Sequence, residues 1–548
     1  MDALADPPVD AVIVGAGAAG AAVAWRLAKA GLSVSVLDRG PWLNQQEAAN
    51  SRDDWEWVMC TDHHPDPGIR KAQADYPVTA DDTPIRPAYY AGIGGSTLHW
   101  GAHFPRFHPS DFKTYSLDGV GRDWPIDYWD LEPYYDLNDQ IMGVSGLAGD
   151  PANPTRASRA MPPVPLCAGT HRLAEAADRL GWHWWPSDSA INLDQDGQGR
   201  ACCNQCGPCG MGCPRHARAS TDITYWPLAV EAGVTVRPEA TVGRIETDDD
   251  GRARSVLWRD RDGAWHRQLA DLIVLAANGM GTPRLMLHST SAAHPDGIGN
   301  RSDQVGRHLM HHPTALVSGV FGESLGPPAG PFACALYSQE FYETDRPDRD
   351  AMRGYQMQAI RGQGPLGTAL GGYVTRLDWG RDHHRQFENS FQHTVSLTVT
   401  TEDLPEPENR VDLDNRAEDA AGVPAARLTY RVSENSQRLL NHGIERTTGW
   451  LREAGAVETK VTALSRQAGF HFLGTVAMGE DPDRFVVDPT GRVRDCPGLA
   501  VVDGSVFPSA GGVNPTSTLQ ANALRLADLL AGQTPLPRGR AEARDATI

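Results

Sequence analysis

From residue 9 the chain runs apolar from Ala11 to Val14, turns to helical spacing at Val23 and Leu27, then alternates up to Leu37. This switch of period predicts strand, helix and strand over 9–40, the βαβ unit of a parallel sheet. The stretch AYYAGIGGSTLHWGAHFPRF (88–107) is too rich in glycine for regular structure and too rich in aromatics for a flexible linker. It predicts a loop lying against a flat ligand. Helical spacing recurs near 128–142 and 170–180, on either side of a Pro- and Ala-rich surface stretch at 147–170.

From Val234 onward, short strands broken at DDDG and RDG predict an antiparallel meander feeding an apolar strand that ends at Ala277, Asn278 and Gly279. Residues 315–460 read as strand-rich, with TEDLPEPENRVDLDN (401–415) a loop entering a hairpin. Apolar strands and a helix return over 498–532, and 536–548 has no periodicity, which predicts a loose tail. The longest clean apolar runs, such as LADLIVLAA (269–277), fall short of the roughly 18 residues that a membrane span needs. No span is expected.

Chemistry enters at the first βαβ unit. Gly15, Gly17 and Gly20 form GxGxxG between strand and helix, and Asp38 ends the second strand. There the glycines permit a tight turn, close backbone approach to a pyrophosphate at the helix N-terminus, and close packing of helix on sheet. Asp38 is expected to hydrogen-bond the adenosine ribose, and an acid at that position disfavours a 2′-phosphate. The unit predicts a dinucleotide site.

With 548 residues, 40% hydrophobic and 22% charged, the chain predicts two or three domains around a large core. Net charge is −19 with the acids spread along the chain, so no basic stripe exists to neutralise phosphates and nucleic acid is excluded as a partner. The N-terminus has neither the pattern of a signal peptide nor a twin-arginine pair. A cytoplasmic enzyme is expected, or a periplasmic one exported with a signal-bearing partner.

Five of the nine cysteines crowd into CCNQCGPCGMGCP (202–214). Cys203, Cys206, Cys209 and Cys213, followed by Pro214, give CxxCxxCxxxCP, the run that bacterial ferredoxins use for an iron–sulfur cluster. A zinc site that could include His216, a local disulfide, and plain loop packing are the competing readings. Zinc normally brings a second CxxC knuckle, and none is present. Cys202 is read as a non-ligand, and the scattered Cys60, Cys167, Cys334 and Cys496 as buried core thiols.

Taken together, GAGAAG with Asp38, IGGSTLHWG, LAANGMGTPRLML (275–287), VGRHLMHHP (305–313), HFLGT (471–475), VVDGS (501–505) and NPTST (514–518) occur in one order. That order resembles the glucose-methanol-choline (GMC) flavin oxidoreductases over essentially the whole chain. Within the family, the cysteine run, GVGRDWPIDYWDLEPYYDL (119–137) and LPEPENRV (404–411) look closest to the FAD-dependent glucose, fructose and gluconate dehydrogenases. The region CGMGCPRHARASTDITYWPLA also looks like long-chain alcohol oxidases.

The resemblance implies an α/β fold in which a Rossmann-like FAD-binding domain is interleaved with a substrate domain built on an antiparallel sheet. The FAD-binding domain would take 1–130, 231–314 and 461–535, the last carrying the catalytic residues. The substrate domain would take 131–200 and 315–460, with 201–230 as a cysteine-rich loop and 536–548 as the tail. FAD would contact Gly94, Gly95 and Ser96 at its pyrophosphate and ribityl, Val242 near adenine, and Asp503 and Gly504 near the flavin. His99 stands where some relatives attach FAD covalently and others keep it unlinked.

By the same resemblance, His471 is the base that takes the hydroxyl proton as hydride leaves the alcohol carbon, and Asn514 holds the substrate oxygen. Asn514 also precedes Pro515 and a helix, so a helix cap is the alternative. The helix beginning near Thr516 would direct its positive end at the flavin and stabilise a reduced, anionic ring. Cys203, Cys209 and Cys213 would hold a [3Fe–4S] cluster, and with Cys206 a [4Fe–4S] cluster. Electrons would then pass to a partner such as a cytochrome subunit, with a small chaperone-like subunit alongside. The implied substrate is a sugar, polyol or related alcohol. The rivals are an alcohol or sterol oxidase with a structural cysteine loop and a non-catalytic flavin- or metal-binding subunit.

Overall fold

The computed structural model describes residues 3–45, 48–195, 199–327, 330, 335–345, 349–371 and 377–539. Its first sheet is built around the Val9–Val14 strand, buried from Ala11 onward. That strand lies parallel between Val34–Leu37 and the second half of Trp265–Leu275. Leu499–Val501 adds a further parallel strand on Trp265–Leu275. Such strands need apolar residues on both faces because helices cover them. Here the cover is the alanine-rich Ala18–Lys29 helix, which buries Ala21, Ala22, Val23 and Leu27, and the Thr516–Leu530 helix packed beside it.

Trp265–Leu275 serves two sheet arrangements in one strand. Its first half pairs antiparallel with Ala253–Arg259, and from Ala270 it pairs parallel with Val9–Val14. The burial pattern changes at the same place, from alternating to continuous. The expected meander is therefore present as Thr241–Thr247, Ala253–Arg259 and Trp265–Leu275. Its supposed first strand is not part of it: Thr235–Arg237 pairs parallel with Val34–Leu37. Pro238 has no N–H to donate, and Glu239 takes φ 54°, so the chain turns there before the meander begins.

The second sheet has six antiparallel strands in the order Ala456–Thr462, Thr314–Phe321, Thr394–Thr401, Tyr355–Ile360, Leu336–Ser338 and Trp185–Pro186. A 20-residue helix, Glu434–Glu453, packs on it, where the strand-rich reading of 315–460 anticipated none. Its buried Leu439, Leu440, Gly443, Thr447, Trp450 and Leu451 keep helical spacing, and the Ser433 side chain accepts from the Ser436 N–H at its start. A third sheet joins the expected hairpin, Arg410–Glu418 with Pro424–Thr429, to Val78–Asp82.

The expected cut at 130/131 falls inside the Tyr128–Met142 helix, and that at 460/461 inside the Ala456–Thr462 strand. Residues 536–539 are not loose. The Leu536 N–H donates to the Tyr134 hydroxyl and the Gly539 N–H to the Trp129 carbonyl, each at 2.9 Å. The rest of the expected tail, 540–548, lies outside the described residues.

Arg353, 1% exposed, ties the region before Tyr355 to the 109–118 segment. It donates to Glu402 at 2.9 Å, Asp111 at 2.8 Å and Asp118 at 2.9 Å. Burial raises the pKa of both Asp111 and Glu402, and the Arg353 guanidinium opposes both shifts. Arg353→Met is expected to destabilise the FAD-loaded protein by about 3–5 kcal/mol, because a buried charge set loses its partner. Thermal unfolding at pH 7 measures it, and an unchanged melting temperature would contradict it.

Candidate active site

A cavity of about 500 Å³ begins at Gly15, Gly17, Asp38 and Val242, passes Gly95, Ser96 and His99, and ends at His471, Asp503, Gly504, Asn514 and Thr516. Most of the expected cofactor residues therefore share one space. Two do not line it. Gly20 faces back into the fold, where a Cβ would come within 2.0 Å of the Gly15 carbonyl oxygen, so its smallness brings helix onto turn. The Gly94 N–H donates to the Ala16 carbonyl at 2.9 Å and holds the two glycine loops together.

Gly15 takes φ 105°, and a Cβ on it would meet the Ala276 carbonyl oxygen at 2.4 Å. The turn beneath the cavity therefore requires glycine. Asp38 differs from its expected role in part. Its carboxylate already accepts from the Ala16 N–H at 2.7 Å and the Gly40 N–H at 2.9 Å, so it braces the turn while facing the cavity. Burial nonetheless raises its pKa. Asp503 is braced likewise, accepting from the Ser505 N–H at 2.9 Å and the Thr282 hydroxyl at 2.5 Å.

At the far end, His471 Nδ1 lies 2.9 Å from His312 Nδ1. The His311 ring donates from Nδ1 to the His471 carbonyl at 2.8 Å. Burial, then the neighbouring His312 and His311, hold the His471 pKa well below 6.5. The ring is thus neutral at pH 7 and able to accept a proton. Asn514, which lines the same cavity, has its Oδ1 buried without a partner. The Thr516–Leu530 helix has Pro515 at its N-cap and no side-chain cap, so the capping role considered for Asn514 is not realised. An acceptor left free on a cavity wall suits a ligand hydroxyl.

The motif VGRHLMHHP contained His311 and His312, yet sequence reasoning assigned them no role. The adjacent His–His pair was the available signal. His99, half-buried against Tyr90 with ring centroids 3.8 Å apart, donates from Nδ1 to the Gly210 carbonyl at 3.0 Å. Burial takes its pKa down to about 3.

The cysteine loop abuts the same cavity, which Pro208, Gly210 and Met211 help to line. The Gln205 N–H points to Cys203 Sγ and the Arg218 N–H to Cys213 Sγ, both at 3.4 Å. Arg218 lies near Cys209 and Cys213, and Arg361 near Cys206 and Cys209. The donors that the spacing predicts are present, but they do not close on one point. Among the described residues no group of three or more His, Cys, Asp or Glu is arranged to hold a metal ion. Cys206 is exposed, and the loop folds over a guanidinium, since a Cβ on Gly207 would come 1.6 Å from Arg361 Nη1.

Nor are the scattered cysteines uniformly core: Cys496 is buried, Cys167 is half-buried and Cys60 is exposed at the end of the Trp55–Cys60 helix. Cys334 lies outside the described residues.

Two family models described as GMC oxidoreductase match residues 9–314 and 405–523, together more than half of the chain. The chain belongs to the GMC oxidoreductase family. It is accordingly an FAD-dependent oxidoreductase, and the FAD fits this cavity on two counts: the glycine turn and the helix N-terminus at Thr516. Among curated relatives, this GMC chain is 39% identical to the 2-methyl-1,2-propanediol dehydrogenase of Mycolicibacterium austroafricanum over 95% of each chain. It is 31% identical to the fructose dehydrogenase large subunit of Gluconobacter japonicus, over 95% of this chain and 97% of that one. It is also 31% identical to the paromamine 6′-oxidase of Streptomyces fradiae, over 95% and 91%. The solved pyridoxine 4-oxidase from Mesorbium loti shares the fold, with a TM-score of 0.66, 17% identity and coverage of 96% and 99%.

Proposed function

We propose that this GMC protein is a dehydrogenase that oxidises a small alcohol, polyol or sugar at a carbon bearing hydrogen. The reading is carried by the His471 ring, whose pKa is held well below 6.5, and the unpartnered Asn514 Oδ1 lining one cavity. FAD, when bound, supplies the hydride acceptor. His471 takes the hydroxyl proton, which promotes hydride departure because an alkoxide releases hydride far more readily than an alcohol. Asn514 donates from its side-chain amide N–H to the same oxygen, whose single hydrogen goes to His471, and so orients the carbon. Above them, Thr314, Gln358, Thr398 and Thr400 of the six-stranded sheet offer polar groups to further hydroxyls of the substrate.

The relatives guide the choice of probes. Of the two carbinol carbons of 2-methyl-1,2-propanediol only the primary one bears hydrogen, so oxidation there must give the hydroxyaldehyde. This diol, fructose and paromamine make the first panel, with a dye as electron acceptor. Dye reduction by at least one of them is expected. Failure with every alcohol tried, FAD being bound, would overturn the reading.

The acid side of the rate profile is a second test. Because the His471 pKa is held well below 6.5, the base stays unprotonated as pH falls through 6.5. kcat/KM is expected to hold from pH 7 to below pH 6 and to drop only at lower pH. An acid limb centred at or above 6.5 would contradict the burial argument.

We infer further that Cys203, Cys209 and Cys213, or these with Cys206, would hold an iron–sulfur cluster, which would supply a one-electron exit beside the cavity. The ferredoxin-like spacing, the N–H groups aimed at two sulfurs and the contact with the cavity support this; a closed ligand set would require the loop to tighten around the metal. A cytochrome partner fits that exit. Protein purified without oxygen is expected to carry about three or four irons per FAD. Iron-free protein with FAD bound would make the loop structural and favour the oxidase reading that the paromamine 6′-oxidase relative supports.

A further inference from the structure

We propose that His312 is a positioning residue that fixes the tautomer of His471, an inference that rests on His471 being the base. His312 Nε2 lies 2.9 Å from the Gly511 carbonyl oxygen and 3.2 Å from that of Ala510. Carbonyl oxygens only accept, so Nε2 must carry the hydrogen. His312 is 1% exposed and its pKa is taken down to about 4 by burial, so the ring is neutral and its Nδ1 holds a lone pair. That lone pair faces His471 Nδ1 at 2.9 Å, so His471 must donate from Nδ1. Its Nε2 is then left unprotonated. His471 lines the cavity, and Nε2 takes no hydrogen bond from the described residues.

The chain of bonds therefore selects which nitrogen can act as base, as a carboxylate or carbonyl orients an imidazole elsewhere. It also ties the base to the oxygen holder. The carbonyls that accept from His312 belong to the 510–512 turn just before Asn514, and the same turn is held by the Gly512 N–H donating to the Tyr342 hydroxyl at 2.9 Å. When His471 Nε2 takes the substrate proton, its Nδ1–H stays directed at the His312 lone pair, so no second proton has to move. The titratable groups facing His471 are His311 and His312.

The test uses FAD-loaded protein and follows flavin reduction by the best alcohol without oxygen. His312→Leu removes both bonds and is expected to slow reduction about 100-fold, with FAD content and KM little changed, since the loss is in orientation. His312→Gln, whose amide can donate to the turn and accept from Nδ1–H, is expected to recover to within about 10-fold of the natural rate. In ¹⁵N-histidine-labelled natural protein, the signals lost in His471→Ala should be a protonated Nδ1 and an unprotonated Nε2. This readout needs no folded His312 variant. A proton found on His471 Nε2, or an undiminished rate in a folded His312→Leu protein, would overturn the proposal while leaving His471 as base. Full turnover by His471→Ala would overturn both.

Discussion

His471→Ala is expected to keep its FAD and to lose about 10²–10⁴-fold in the rate of flavin reduction by alcohol, the usual worth of a positioned general base. Three features make the loss this large. The ring lines the same cavity as Asn514, burial and then the neighbouring histidines keep it neutral, and Asn514 can orient an alcohol oxygen but cannot take its proton. FAD should remain because the glycine turn and the 94–96 loop do not depend on the ring. Stopped-flow flavin bleaching checks the rate, and the absorbance ratio of flavin to protein checks retention. Bleaching within about 3-fold of the natural rate would remove His471 from the chemistry, since it would leave almost none of the expected catalytic factor.

Gly15→Val should act at the opposite end. The φ of 105° puts a β-branched residue in a forbidden region, and the added Cβ would sit 2.4 Å from the Ala276 carbonyl oxygen and 2.8 Å from its carbon. Both obstacles are backbone, which cannot rotate away as a side chain could. The strain alone is worth roughly 3 kcal/mol. If it falls on the FAD-bound state, FAD affinity drops by about 100-fold. Purified Gly15→Val protein is expected to be colourless or to lose FAD on desalting. A fully flavinylated variant with natural melting temperature would show that the turn tolerates side chains.

What the sequence disclosed was local. The switch of period over 9–40 placed strand, turn and helix correctly because each depends on residues within a few positions of one another. The Tyr128–Met142 helix was legible for the same reason, with Asp127 accepting from the N–H groups of Trp129 and Asp130 at its start. Thr235–Arg237 was misassigned because its partner, Val34–Leu37, lies about two hundred residues away and nothing in three residues specifies it. The Glu434–Glu453 helix did carry a helical pattern, but polar residues between the buried positions masked it.

The site divides in the same way. His471 and Asn514 were singled out through motifs, whereas the orientation proposed for the base depends on His312 and on a turn near 510, which only the packed structure brings together. Asp38 does line the cavity, but its two backbone partners could not be read from its motif. The cysteine spacing announced a metal site, while whether sulfurs meet depends on how Gly207 and Arg361 pack.

The central claim is that an alcohol delivers hydride inside this cavity. Mixing FAD-loaded protein with alcohols in the absence of oxygen, each in normal form and with deuterium on the carbinol carbon, tests it most directly. Bleaching of the flavin by at least one alcohol, slowed severalfold by the deuterium, is the predicted result. Flavin that no alcohol in the panel bleaches, or bleaching indifferent to the deuterium with that C–H cleavage as the slow step, would contradict the account.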